Sequence, residues 1–244
     1  PGTWTDRAGR DRTPSVPGVG QRVFGLADWT RDGTLAEYTA AEARNLAALP
    51  ADVDHTVAAA VPISGLTAWQ GLFDHGQLTT GQTVLIHGAA GGVGSIAVQL
   101  AREAGACIIG TGRAADRQRA LELGVHTFID LESEKLEDAG QVDVVFDVIG
   151  GDILARSAGL VRSGGVLVTI AEPPRVRPKE GRAVFFVVEP DRARLADLAS
   201  RLRDGRIKPI IGAVVPLAEA PAAFAPGKRV PGKTIVVVAE GGRS

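Results

Sequence analysis

From Thr83 onward, short β-branched runs alternate with amphipathic stretches. That order predicts a parallel sheet covered by helices on both faces. The runs Thr83 to His87, Cys107 to Thr111, Thr127 to Ile129, Val142 to Asp147 and Val166 to Ile170 read as strands, with helices over Val93 to Glu103, Asp116 to Leu123 and Ile153 to Leu160. In the first helix Val93, Ile96, Ala97, Leu100 and Ala101 keep the spacing of one buried face. Gly105, Gly124 and Gly164 stand where left-handed caps would close the helices. Further on, Ala183 to Val188 reads as a strand, Asp191 to Arg203 as a long charged helix, and "PIIGAVVPL" and "KTIVVVAE" as two more strands. The loop "EPPRVRPKEGR" reads as a solvated linker, with a phosphate clamp as the alternative.

The earlier part of the chain is different. "GQRVFGL" and "LAEYTAA" have strand character, and Asp54 to His75 reads as a helical connection broken at "VPISG". The opening residues, as far as Val19, follow neither period and are expected to be irregular. No internal repeat is visible.

Composition narrows the function classes. With 27 Lys and Arg against 28 Asp and Glu, the formal net charge is -1. No overall field draws such a chain to nucleic acid or to an anionic membrane, and a small neutral or anionic ligand fits better. Cys107 is the sole cysteine, which excludes an internal disulfide and a cysteine-built zinc site; in the apolar "ACIIGT" it reads as a buried, inert core thiol. No stretch is long and apolar enough to span a bilayer, and "PGTWTDRAGRDRT" carries charge where a signal peptide needs an apolar centre. The expected location is the cytoplasm. The chain contains no methionine, which predicts either an initiator removed ahead of Pro1 or a start inside a longer reading frame.

The chemistry concentrates in "TVLIHGAAGGVG", where a strand runs through a glycine-rich turn into a helix. This is the context of a dinucleotide site: glycine lets the backbone turn tightly and approach a pyrophosphate, and the unpaired N–H groups of the helix's first turn face the anion. The spacing is G-x-x-G-x-x-G through Gly88, Gly91 and Gly94, with Ala89 where the strict pattern has its first glycine. Ala90, Gly91, Gly92, Val93 and Gly94 are the candidate pyrophosphate residues. The alternative is a turn that serves only close packing of helix on sheet.

The next strand bears on which nucleotide is bound. An acid near its end would accept from a ribose 2′-OH, but the strand closes on Thr111 and Gly112, Arg113 follows, and no acid comes before Asp116. Arg113 and Arg117 offer guanidinium groups to a 2′-phosphate, which favours NADPH over NADH; the alternative is two solvated surface arginines. In "VDVVFDVIGG" the strand ends at the ligand-binding edge of a parallel sheet, so Val148, Ile149 and Gly150 would flank the nicotinamide half. Asp147 reads as a hydrogen-bonding strand-end residue rather than an acid catalyst.

The stretches "GQRVFGL", "AAAVPISGLTAWQGLFDHGQLTTGQTVLIHGAAGGVGSIAVQLAR", "VDVVFDVIGG", "RSGGVLVTI" and "GKTIVVV" resemble the zinc-independent medium-chain dehydrogenases/reductases, in particular NADPH-dependent quinone oxidoreductases. The resemblance implies an α/β fold: a Rossmann doubly wound parallel sheet with a partial, N-terminally truncated GroES-like β lobe. It divides the chain into a remnant of the substrate lobe at 1–55, an NADPH-binding domain at 56–212 and a return segment at 213–244. It implies hydride transfer from NADPH to a quinone or activated enone, with Thr67 by the nicotinamide and Phe186 and Val188 near the far end of the cofactor. No metal is expected, because the "GHE" motif and cysteine-rich lobe of zinc-using members are missing and His55, His75, His87 and His126 are scattered.

Two departures stand out. Asp130-Leu131 replaces the Asp-Tyr of many relatives, and "PGTWTDRAGRDRTPSV" does not resemble the strands that should precede "GQRVFGL". Tyr38, the only tyrosine, reads as a packing residue, with a proton donor as the alternative; no catalytic residue is assigned. The alternatives to an active reductase are a non-catalytic NADPH-binding protein, an inactive fragment, and an enoyl reductase unit of a longer synthase. A homodimer is expected from pairing at the apolar strand edge of "KTIVVV".

Overall fold

The computed structural model describes residues 17–30, 33–225 and 230–238. In chain order its elements are β1 (Val23–Gly25), β2 (Leu46–Ala48), α1 (His55–Ala59), α2 (Pro62–Trp69), β3 (Thr83–Ile86), α3 (Gly94–Glu103), β4 (Cys107–Gly112), α4 (Arg117–Leu123) and β5 (Thr127–Asp130). There follow β6 (Val142–Asp147), α5 (Gly151–Ser157), β7 (Val161–Thr169), β8 (Arg182–Phe185), α6 (Arg192–Arg203), β9 (Ile211–Pro216), α7 (Ala220–Ala223) and β10 (Lys233–Val237). A π-helical turn, Gln70–His75, continues α2. Contacts divide the chain into two units, one holding the residues up to Leu66, Pro190–Arg206 and those from Ile211 on, the other Thr67–Glu189 with Ile207–Ile210.

The second unit is an α/β body around a six-stranded sheet in the order β5-β4-β3-β6-β7-β8, every neighbouring pair parallel. Counted from β3 as the first strand this is the doubly wound order 3-2-1-4-5-6, whose direction reverses between β3 and β6. The central strand β6, "VDVVFD", is buried at all of its positions. Its near-continuous apolar character follows from helices covering both faces. Leu85, Ile109, Val145, Leu154 and Leu167 belong to one core cluster on this sheet. At Gly71 in the π-helical turn a Cβ would drive into the ring of Phe146, so glycine there permits the turn to lie against β6.

In the first unit β1 and β2 pair antiparallel and β9 and β10 pair parallel. The Arg22 guanidinium ties the loop after β2 together, donating to the carbonyls of Pro50 (3.0 Å), Ala51 (2.8 Å) and Val53 (2.8 Å). Helix α6 begins on an Asp191 side chain that accepts from Arg194 N, and Arg192 Nε donates to Leu46 O at 3.0 Å.

Several expectations are corrected. "LAEYTAA" forms no strand: Leu35 is 49% and Tyr38 90% exposed. Alternation marks a face that needs cover, but a strand exists only beside a partner, and among the described residues none pairs there. Tyr38 is therefore not a packing residue. The strand that pairs with β1 is β2, which had no sequence signal beyond three apolar residues. Cys107 is exposed, because it opens β4 at the amino edge of the sheet, before the ladder enters the core. Gly164 takes a left-handed φ of 77° but caps no helix. It lies inside β7, where the register jumps from Val142↔Val161 to Val144↔Val166, a bulge that absorbs the extra residues. Residues 1–16, most of the stretch expected to be irregular, lie outside the described residues.

Candidate cofactor-binding site

The glycine turn leaves β3 through His87 and Gly88, whose φ of 63° carries the chain back over the sheet. Gly94 opens α3 so close to this turn that a Cβ there would meet the Gly88 carbonyl oxygen. Gly91 is of another kind: it is exposed, and the only atom near a Cβ would be Gly88 O at 3.1 Å. Gly91 N donates to Gly88 O (2.8 Å) and Ser95 N to Gly91 O (2.9 Å), whereas the N–H groups of Gly92, Val93 and Gly94 donate to no backbone carbonyl among the described residues. They are the orphan donors of the helix start, where the macrodipole adds positive potential. Buried in the same first turn, Ser95 Oγ has no partner among the described residues.

At the exit of β4, Thr111 is fully buried and Gly112 half-buried. Arg113 projects into solvent and lies 3.8 Å from Glu132. Arg117 is held quite differently, donating to Phe128 O at 2.9 Å and to Glu134 Oε2 at 2.8 Å, with its guanidinium 5.2 Å over the Phe128 ring. Glu134 also accepts from Asp130 N at 2.6 Å; that bond and the Arg117 guanidinium hold its carboxyl below the usual range. Asp130 in turn accepts from Ser133 Oγ and Glu132 N, and its carboxyl is lowered by these bonds. The two arginines that look equivalent in sequence thus differ in availability.

At the exit of β6, Asp147 is fully buried and accepts from Ile149 N (3.2 Å), Gly150 N (3.1 Å) and Thr169 Oγ1 (2.8 Å). It is a strand-end hydrogen-bonding residue that fixes the turn Val148–Gly150. Val148 reaches to within 3.1 Å of where a Gly88 Cβ would stand, so this turn and the glycine turn adjoin, and Ile149 is 46% exposed beside them.

The fold therefore brings together Ala90–Gly94, Thr111–Arg113 and Val148–Ile149 at the carboxyl ends of the neighbouring strands β3, β4 and β6. Thr67 is buried on α2, and Phe186 and Val188 are buried beyond the edge strand β8, three strands from β3 in the sheet order. The Phe186 ring packs 4.5 Å from that of His75 in the π-helical turn. One residue that the sequence marks only as a scattered histidine stands at the centre: His87 is fully buried and bonded through both ring nitrogens. Its signal was a lone polar residue between an apolar strand and the glycines.

A family model described as zinc-binding dehydrogenase matches residues 123–236. The quinone oxidoreductase of Coxiella burnetii superposes with a TM-score of 0.86 at 27% identity, covering 92% of this chain and 74% of that one. The chain is similar to members of the medium-chain dehydrogenase/reductase family. It is similar to the spectinabilin polyketide synthase system protein NorB of Streptomyces orinoci, 36% identical over 231 residues, 86% of this chain and 10% of that protein. It is also 32% identical over 185 residues to the chloroplastic NADPH-dependent alkenal/one oxidoreductase of Arabidopsis thaliana, 73% of this chain and 45% of that protein. The chain thus spans a tenth of the first of these relatives and less than half of the second.

The residues present fit a dinucleotide on two observations: the open space above Gly91 at a helix start with unpaired N–H groups, and the buried, unpartnered Ser95 hydroxyl in that turn. Among the described residues no three His, Cys, Asp or Glu side chains are grouped to hold a metal ion. No helix among the described residues is long and apolar enough to cross a membrane.

Proposed function

We propose that this chain is a medium-chain dehydrogenase/reductase, an NADPH-dependent, zinc-independent cytoplasmic oxidoreductase that reduces a quinone or an activated enone. The observation that carries the reading is the pairing of Gly91, open over the orphan donors of α3, with Arg113, largely in solvent at the exit of the neighbouring strand β4. The first would hold the pyrophosphate through Ala90–Gly94; the second would meet a 2′-phosphate. The bound cofactor supplies a hydride from its nicotinamide ring. Around that ring Thr67, Val148 and Ile149 would orient and shield it, and Phe186 and Val188 would approach its far end. The names of the Coxiella and Arabidopsis relatives support the substrate classes. In a homodimer the apolar strand β10, which among the described residues pairs only with β9, would supply the pairing edge.

Titrating the chain with NADPH, then following NADPH oxidation with a naphthoquinone and a 2-alkenal, tests the reading. Saturable binding with turnover of either acceptor is expected; absence of binding, or no turnover across a broad panel, overturns it. The similarity to NorB favours a second reading, an enoyl reductase unit within a longer synthase. Reduction of a 2-enoyl thioester in preference to both other acceptors, together with an open reading frame upstream of Pro1, would decide for it.

A further inference from the structure

His87 lies between β3 and the glycine turn, and its ring bridges two other elements. Nδ1 is 2.8 Å from Thr111 Oγ1 at the end of β4, and Nε2 is 2.7 Å from Ser157 Oγ on α5. Ser157 gives its own proton to Ile153 O at 2.7 Å, so towards the ring its oxygen can only accept. Nε2 therefore carries the proton, Nδ1 is bare, and Thr111 is the donor to it. One proton arrangement satisfies all three side chains, and it requires a neutral ring. The surroundings keep it so: complete burial drives the imidazole down, outweighing the opposing pull of Asp147 on β6. The other charged groups on the packed elements point elsewhere, Arg113 and Asp152 into solvent and Arg156 onto Glu137.

Thr111 has a second bond that gives this chain its consequence. Its carbonyl accepts from Ala89 N at 3.0 Å, so the residue that clamps the His87 ring also holds the glycine turn. His87 N is itself fixed on Phe146 O of β6 at 3.0 Å. His87 thus links the glycine turn to β4 through its ring and to β6 through its backbone N–H, the three segments to which the cofactor reading assigns the pyrophosphate, the 2′-phosphate loop and the nicotinamide side.

We propose that His87 is a positioning residue for dinucleotide binding, which through Thr111 sets the geometry of the glycine turn and hence the aim of its N–H groups at the pyrophosphate. The inference rests on the cofactor reading above. A shift of the turn affects the diphosphate that both nicotinamide dinucleotides share, whereas Arg113 would touch only the phosphate that distinguishes them. Loss of the bridge therefore weakens NADPH and NADH in the same proportion.

The test measures dissociation constants of NADPH, NADH and ADP-ribose on the full chain for wild type, His87→Leu, Thr111→Val and the double variant. Each single variant is expected to lose about tenfold for all three ligands, the size of one hydrogen bond. The double variant should lose little more than either single one, since both remove the same bond. His87→Asn, whose carboxamide oxygen can take the Nδ1 place, should recover most of the affinity. Wild-type affinity in folded Thr111→Val, or additive losses in the double variant, would overturn the proposal while leaving the cofactor reading standing. If His87→Leu does not fold, Thr111→Val decides alone. A wild-type chain that binds none of the three ligands removes the cofactor reading and this proposal with it.

Discussion

Arg113 Nε lies 3.8 Å from a carboxylate oxygen of Glu132, and the two side chains are 81% and 70% exposed. An ion pair so open to water holds its partners weakly, so Arg113 can leave Glu132 for a stronger anion. Arg113→Ala should weaken NADPH at least tenfold and NADH hardly at all, and Glu132→Gln should tighten NADPH about threefold by removing the competitor. Calorimetric titration with both cofactors checks this. Equal losses for NADPH and NADH in Arg113→Ala would show that the guanidinium does not read the extra phosphate.

Arg117 should respond in the opposite way. Its bonds to Phe128 O and Glu134 and its stacking on Phe128 pin the start of α4 to the end of β5. Arg117→Ala is expected to lower the Tm of the ligand-free chain by about 3 °C, with a smaller effect on NADPH affinity than Arg113→Ala. A thermal melt without ligand, compared with the titrations, separates the two arginines.

The glycines divide likewise. A side chain at Gly94 meets the Gly88 carbonyl, so Gly94→Ala should destabilise the fold by about 1–3 kcal/mol through overpacking, measurable by urea denaturation. At Gly91 the nearest atom is Gly88 O at 3.1 Å, and the rest of the space is open. Gly91→Val should therefore cost little stability and abolish dinucleotide binding. Undiminished NADPH affinity in that variant would argue for a turn that serves packing alone.

Burial lowers the His87 imidazole from 6.5 to about 4. The unfolded chain takes up this proton as pH falls through 6.5, and the folded chain not until about 4, so protonation in that window favours unfolding. Stability from this group is complete above pH 6.5 and is lost on acidification towards 4, on the order of 3 kcal/mol. His87→Asn, which cannot titrate, should flatten the dependence of Tm on pH in this window. A slope identical to that of wild type would assign it to other groups.

Local chemistry along the chain was enough to define the layers and the glycine turn between β3 and α3. β-Branched runs, amphipathic helices and glycines following a strand act over a few residues, and the six parallel strands and α3 lie within a few residues of where their periods put them. What periodicity does not carry is partnership. Arg117 meets Glu134 and Phe128, and His87 meets Thr111 and Ser157, only because crossover helices return the strands to one another's sides. Cys107 and Tyr38 show the same limit from the other direction, since apolar neighbours in sequence do not ensure cover in space. The sequence alone determined an α/β body with a glycine-rich helix start whose first N–H groups are unpaired. Tertiary packing decided which guanidinium is left for a ligand and which histidine is locked in place, because both depend on hydrogen bonds and burial between residues far apart along the chain.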